Sequence, residues 1–295
     1  TGGMDRIPGL LPRAAMIERC VEALQRLHDC NVDSLIDLTP FDLGRQAWLF
    51  EVVAARTPVN VVCATGVYRW VPSVYFEWDA DEIAAHFSRD ITEGIDGTTV
   101  KAGIIKLAWD LEYRLEEGGQ RSPRAMLEKT ARAAARTAKA TGVPISCHTR
   151  AVDQLGTPLL DIFEDEGLDL RAVTIGHSND TSDLDYLRSL ARRGALVGLD
   201  RFFSVEPAYV AQRSGLALSL IRDGFAEQVC LGHDASPAGL WGRWREEPNP
   251  DCWTLVPKHE VGWLLQNGAT EDEVDGVMRR SVRSTFEAAA RMAGR

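Results

Sequence analysis

Four residues have side chains and settings that chemistry would use. His148 and His177 close consecutive apolar runs, in VPISCHTR and TIGHSNDTSD, and Asp234 closes a later one in CLGHDAS. A single His at a strand end is more often a hydrogen-bonded structural residue. Two on neighbouring strands, joined by a carboxylate from another, form the donor set that a borderline divalent cation such as zinc prefers. Lys106 is the more pointed signal. It lies in AGIIKLAW between Ile104, Ile105, Leu107 and Ala108, where a bare ammonium loses hydration that the strand does not replace. Such a lysine either snorkels to the rim or pairs with an acid. Alternatively its pKa falls and the neutral amine becomes a nucleophile, towards a carbonyl as a Schiff base or towards CO2. Beside two imidazoles and a carboxylate the second product is the more useful, because a carbamate on Lys106 would be an anionic, two-oxygen bridge between metals.

The elements that must position these groups are legible as alternation. Seven short apolar, β-branched runs recur at Ser34 to Leu38, Val59 to Ala64, Ala102 to Leu107, Val143 to Cys147, Ala172 to Ile175, Ala195 to Leu199 and Gln228 to Leu231. Amphipathic segments separate them. Arg124 to Ala140 follows the start signal Ser122 and Pro123 and stops before Gly142; Arg13 to Cys30 carries Met16, Cys20, Leu24 and Leu27 on one stripe. Such alternation means parallel pairing with crossovers, in a barrel or a doubly wound open sheet. The runs end in or near Asp37, Thr65, Lys106, His148, His177, Asp200 and Asp234. Polar groups at nearly every strand end favour a barrel, whose loops all converge on one rim; an open sheet concentrates them at its switch point. No GxGxxG or Walker-type loop follows any strand, so a nucleotide has little support. The expectation is one barrel domain over residues 1 to 295.

Composition narrows the partners. Apolar residues make up 45% and charged residues 26%, enough apolar surface for a large soluble core. A formal net charge of -10 argues against nucleic acid, which needs clustered Lys and Arg. No apolar stretch approaches the ~18 residues of a membrane span. The six cysteines form no CxxC pair, as expected of unpaired thiols in a reducing cytoplasm.

The strings FDLGR at 41 to 45, ATG at 64 to 66, AGIIK at 102 to 106, TGVPISCHT at 141 to 149, IGHSNDTSDLDYL at 175 to 187, GLDR at 198 to 201 and GHD at 232 to 234 resemble the phosphotriesterase family, in order and at family-like spacing. The resemblance implies a (β/α)8 barrel with a binuclear centre of two divalent ions, zinc first and cobalt, iron or manganese as alternatives. It implies Lys106 as the carboxylated bridging ligand, His148 and His177 on one metal, and Asp234 on the other. It also implies a homodimer acting on a small-molecule lactone or ester. Two positions resemble the lactonase branch: Tyr68 in ATGVYRW, where dedicated phosphotriesterases carry a tryptophan, and Arg201 in GLDR, where they carry a histidine. A hydroxide shared by the metals would attack the lactone carbonyl, with Asp234 as ligand and proton acceptor and Tyr68 and Arg201 orienting the substrate. Hydrolysis of an organophosphate triester or another ester is the nearest alternative, and a barrel kept only for binding is another. Leu240, Trp241 and Trp244 would line an apolar substrate pocket or pin their loop to the barrel.

One departure stands at the front. The family ends its first strand in a His-x-His pair, and no such pair occurs here. The earliest histidine, His28, belongs to the helical CVEALQRLHDC. The chain begins at Thr1 without an initiator Met, and the expectation is a preceding segment that brings the missing strand; the alternative is a crippled centre. His233 should point away from the face of Asp234 into a supporting role. His86 and His259 are expected outside the site.

Overall fold

A computed structural model describes residues 13–68, 71–110, 122–235, 251 and 253–294. All seven expected strands form: β1 (Ser34–Asp37), β2 (Asn60–Gly66), β3 (Ile104–Trp109), β4 (Ile145–Thr149), β5 (Val173–Gly176), β6 (Leu196–Leu199) and β7 (Val229–Leu231). They make one parallel sheet in the order β1-β2-β3-β4-β5-β6-β7. That order separates the two architectures. A doubly wound sheet reverses direction at a switch point, whereas seven strands laid down strictly in sequence wind one way, as in a (β/α)8 barrel. The fold is that of the TIM barrel; among the described residues β1 and β7 are each paired on one side only.

The helices between the strands form where their end signals stand. Ser122 accepts a hydrogen bond from the Ala125 N–H, Pro123 occupies the first turn of α4 (Pro123–Thr141), and Gly142 ends it at φ 73°. Before α4 come α1 (Arg13–His28), α2 (Ala47–Ala54) and α3 (Ala80–Thr92), the last begun by a capping box of Asp79 and Glu82. After it come α5 (Gly156–Asp165), α6 (Leu184–Arg192) and α7 (Pro207–Arg222). Ala131, Ala134, Ala135 and Ala138 on one face of α4 are buried, small enough for the helix to lie close to the strands. β3 and β4 are buried at every residue, as strands covered on both faces must be. No helix among the described residues is long and apolar enough to cross a membrane.

Most strands run one or two residues further than the apolar pattern suggested. The difference matters at Lys106, which is not the end of its strand: β3 continues through Leu107, Ala108 and Trp109, and the polar residue that closes it is Asp110. The apolar run was expected to end at Leu107, whereas backbone pairing with β4 carries the strand on to Trp109, opposite Thr149. The five described cysteines, Cys20, Cys30, Cys63, Cys147 and Cys230, are free thiols.

Candidate metal centre

Register brings the first two candidates to one face. Lys106 pairs with Ser146, and His148 lies two residues beyond Ser146, so the pleat points both side chains the same way. His148 in turn pairs with Gly176, which places His177 one step past the end of β5. The rings of His148 and His177 meet edge to face with centroids 4.5 Å apart. Tyr68, on the loop after β2, turns its ring towards both neighbours: its centroid is 5.1 Å from that of His148 and 5.9 Å from Lys106 Nζ. Its hydroxyl is 3.1 Å from His148 Nδ1.

Two glycines make the approach possible. Gly66 has φ +103°, and a Cβ there would stand 2.1 Å from the Lys106 carbonyl oxygen, so only glycine lets the end of β2 fold over β3. At Gly176 a Cβ would press within 2.9 Å of an Asp200 carboxylate oxygen, the group that orders the next residue.

That residue, His177, has φ 60°, a left-handed conformation uncommon without glycine. Asp200 holds it there: its Oδ1 accepts from the His177 backbone N–H at 2.8 Å and lies 2.8 Å from Nδ1. Burial alone would raise the Asp200 pKa, but the contact with His177 holds it below the usual carboxylate range. An anion on Nδ1 fixes the tautomer and turns Nε2 towards the centre, the arrangement commonly seen behind a metal-bound imidazole. Asp234, three residues beyond β7, also adopts positive φ, 47°, and its Oδ2 is 4.0 Å from His177 Nδ1. Lys106 is 6% exposed, and burial lowers its pKa against the opposing charge of Asp200.

Lys106, His148, His177, Asp234, Tyr68 and Arg201 thus gather on one rim. Leu240, Trp241 and Trp244 lie outside the described residues. Arg201 does not pair with Asp200, its neighbour in sequence. Its Nε is 3.2 Å from Asp234 Oδ2, and its Nη1 bonds to Asp180. The histidines expected outside the site are outside it: His28 closes α1, His86 pairs with the Tyr75 hydroxyl, and His259 lies in a π-helical turn. Burial pushes the His233 imidazole down to about 4, and its Nε2 accepts the Val256 N–H at 3.1 Å.

Sequence reasoning passed over three carboxylates. Asp110, 6% exposed, is 2.9 Å from His148 Nε2. Asp180 receives both Arg201 and Arg213. Asp42, inside the FDLGR string, accepts the Tyr68 backbone N–H at 2.9 Å and so anchors the loop that carries the tyrosine. Asp110 was recoverable, since it ends the strand that bears Lys106; the other two act across the fold and leave no local pattern.

The donor types fit a divalent cation. Two imidazoles and a carboxylate converge, one imidazole is backed by the half-buried carboxylate of Asp200, and a buried lysine with lowered pKa stands where a carbamate would complete the set. The geometry is open: among the described residues no three His, Cys, Asp or Glu side chains are grouped tightly enough to hold an ion. The reason is visible in the contacts. His148 has a partner on each ring nitrogen, Asp234 turns to Arg201, and Lys106 is no ligand while it is an amine.

Comparison with known proteins identifies the family of the chain. The model of the phosphotriesterase family matches residues 13–286. An aryldialkylphosphatase of Saccharolobus solfataricus is 32% identical over 286 residues, covering 95% of this chain and 88% of its own. A phosphotriesterase homology protein of Mycobacterium tuberculosis is 34% identical over 288 residues, covering 92% and 85%. A more distant phospho-furanose lactonase of Mycoplasmopsis agalactiae is 25% identical over 187 residues, covering 60% and 52%.

Proposed function

The chain belongs to the phosphotriesterase family of hydrolases, and from that premise we propose that it opens the ring of a small lactone at a binuclear metal centre. Carboxylated Lys106, His148, His177 and Asp234 would hold the ions, zinc first by ligand type. Divalent cations bound there supply a water of lowered pKa and polarise a carbonyl.

The remaining work belongs to side chains. Asp234 is 43% exposed at its side chain, open to a water on one side and to Arg201 on the other. In ester hydrolysis the water oxygen joins the carbonyl carbon, the ring C–O bond breaks, and a proton must reach the departing oxygen; Asp234 would accept and deliver it. Arg201 stays protonated throughout, so it takes no part in the proton transfer and instead faces the developing negative charge. The Tyr68 hydroxyl, 3.1 Å from His148 Nδ1, would turn its donor to the substrate oxygen. The acyl-homoserine lactones, which carry an alkyl tail, are the substrate class this reading takes first.

The observation that carries the lactone reading over the triester is the pairing of Tyr68 and Arg201 around one site, the two positions where the sequence resembles lactonases. A triester remains the alternative, because the same nucleophile can attack phosphorus and a relative bears the name aryldialkylphosphatase. Measuring kcat/KM for an alkyl-tailed lactone and a paraoxon-type triester decides. We expect the lactone to be favoured by more than about tenfold, ~1.4 kcal/mol in transition-state binding. A preference for the triester would overturn the lactone reading and leave the hydrolase; turnover of neither would favour a binding protein.

A further inference from the structure

Arg201 sits at the head of a loop, residues 200 to 206, that carries two exposed apolar side chains, Phe203 and Val205. A guanidinium on such a segment holds its place over Asp234 only if something fixes both its backbone and its far end. The backbone is fixed twice. Asn179 makes reciprocal bonds with Arg201, donating from Nδ2 to its carbonyl at 3.2 Å and accepting its N–H at 3.3 Å. The Tyr209 hydroxyl, from the first turn of α7, donates to the same carbonyl at 2.9 Å and accepts the Phe203 N–H at 3.3 Å.

The far end is fixed from the same helix. Arg213 lies one turn beyond Tyr209, so the two share a face of α7. Its guanidinium stands over the Tyr209 ring at 5.1 Å from the centroid, and its Nη1 donates to Asp180 Oδ1 at 3.1 Å. Asp180 uses its other oxygen for Arg201. The contacts close into a ring: Arg201 carbonyl, Tyr209 hydroxyl and ring, Arg213, Asp180, Arg201 guanidinium.

We propose that Tyr209 and Arg213 are positioning residues for Arg201, a two-point clamp from α7 that aims its guanidinium at Asp234. The proposal rests on the reading of Arg201 as the group that faces the reacting ester. Arg213 does more than balance charge: without it Asp180 would have one cation fewer and could swing with Arg201, and a planar guanidinium stacked on the phenol cannot be replaced by a point charge.

The test is a mutant cycle on the metal-loaded enzyme with whichever ester it turns over, joined to hydrogen exchange. Tyr209→Phe keeps the ring and removes the hydroxyl. We expect kcat/KM to fall about two- to tenfold, the size of one hydrogen bond, with metal content unchanged. In an Arg201→Ala background the same substitution should cost less than about twofold, because its effect passes through Arg201. Arg213→Lys should fall between Arg213→Ala and the parent enzyme. Exchange at the Phe203 amide should quicken in Tyr209→Phe, a readout independent of substrate. Equal losses in both backgrounds, or an unchanged Phe203 amide, would overturn the clamp. Failure of lactone turnover alone would overturn only the substrate assignment, since the exchange arm and a triester cycle still report on Tyr209.

Discussion

Lys106 combines two properties that a carbamate requires, and each has a separate structural cause. Its amine is kept from water by β3 and its neighbours, which lowers its pKa, and it faces the Tyr68 ring with the carboxylates of Asp200 and Asp234 near enough to act on its charge. Arg201 has a different standing: it contacts Asp234 and is tied to Asp180. These positions predict opposite behaviour on truncation. Lys106→Ala should lose metal and activity together, with short carboxylic acids restoring part of both. Arg201→Ala should keep its metal and lose about a hundred- to a thousandfold in turnover, in the range for one donor to developing charge. Metal analysis beside steady-state rates separates the two, and a Lys106→Ala protein with full metal would remove the lysine from the bridge. The four candidate ligands were legible because each is polar in or beside an apolar run. Asp42 and Asp180 were not, because nothing local distinguishes a carboxylate that accepts a distant N–H or guanidinium from one that faces water.

At the scale of elements, alternation was legible throughout and ends were not. Strand positions follow from apolar β-branched runs, yet backbone pairing carries β3 past the charge on Lys106 to Trp109. The π-helical turns at Val256–Glu260 and Gly276–Arg280 had no sequence signal, since an extra residue in a turn alters no pattern of apolar spacing strongly enough to show. The first of these turns is held from two sides. His233 accepts the Val256 N–H, which ties the end of β7 to the turn, and Ser214 on α7 bonds to Glu260, a carboxyl only 1% exposed. Burial raises the Glu260 pKa above its unfolded value. A carboxyl of that kind contributes stability below its unfolded pKa and loses it as pH rises through the folded one. Glu260→Gln should therefore match the parent protein in urea midpoint near pH 4.5 and exceed it near pH 8. A variant less stable at pH 8 would show that the ionised carboxylate, paired with Ser214, is the form the turn requires.

Across the whole molecule, the candidate ligands come from β3, β4, the end of β5 and the loop after β7, so an ion they share would join more than half of the barrel's circumference. The same rim concentrates negative charge: Asp110, Asp180, Asp200 and Asp234 all lie on it, and Arg201 and Arg213 are already committed to Asp180 and Asp234. Cations placed there would relieve repulsion that the chain itself leaves partly unbalanced. Because the ligands are scattered in the unfolded chain, binding should favour the folded state almost exclusively, with a stabilisation of about 2.7 kcal/mol when free metal is a hundred times its dissociation constant. For a protein of this size that corresponds to a rise in Tm of about 4 °C. Thermal unfolding of chelator-treated protein, before and after addition of zinc, measures it directly. The rise should shrink markedly in Lys106→Ala and persist in Arg201→Ala, which touches the centre only through Asp234. An equal rise in the parent and in Lys106→Ala would place the stabilising ion away from this rim, and the convergence of Lys106, His148, His177 and Asp234 would then need another explanation.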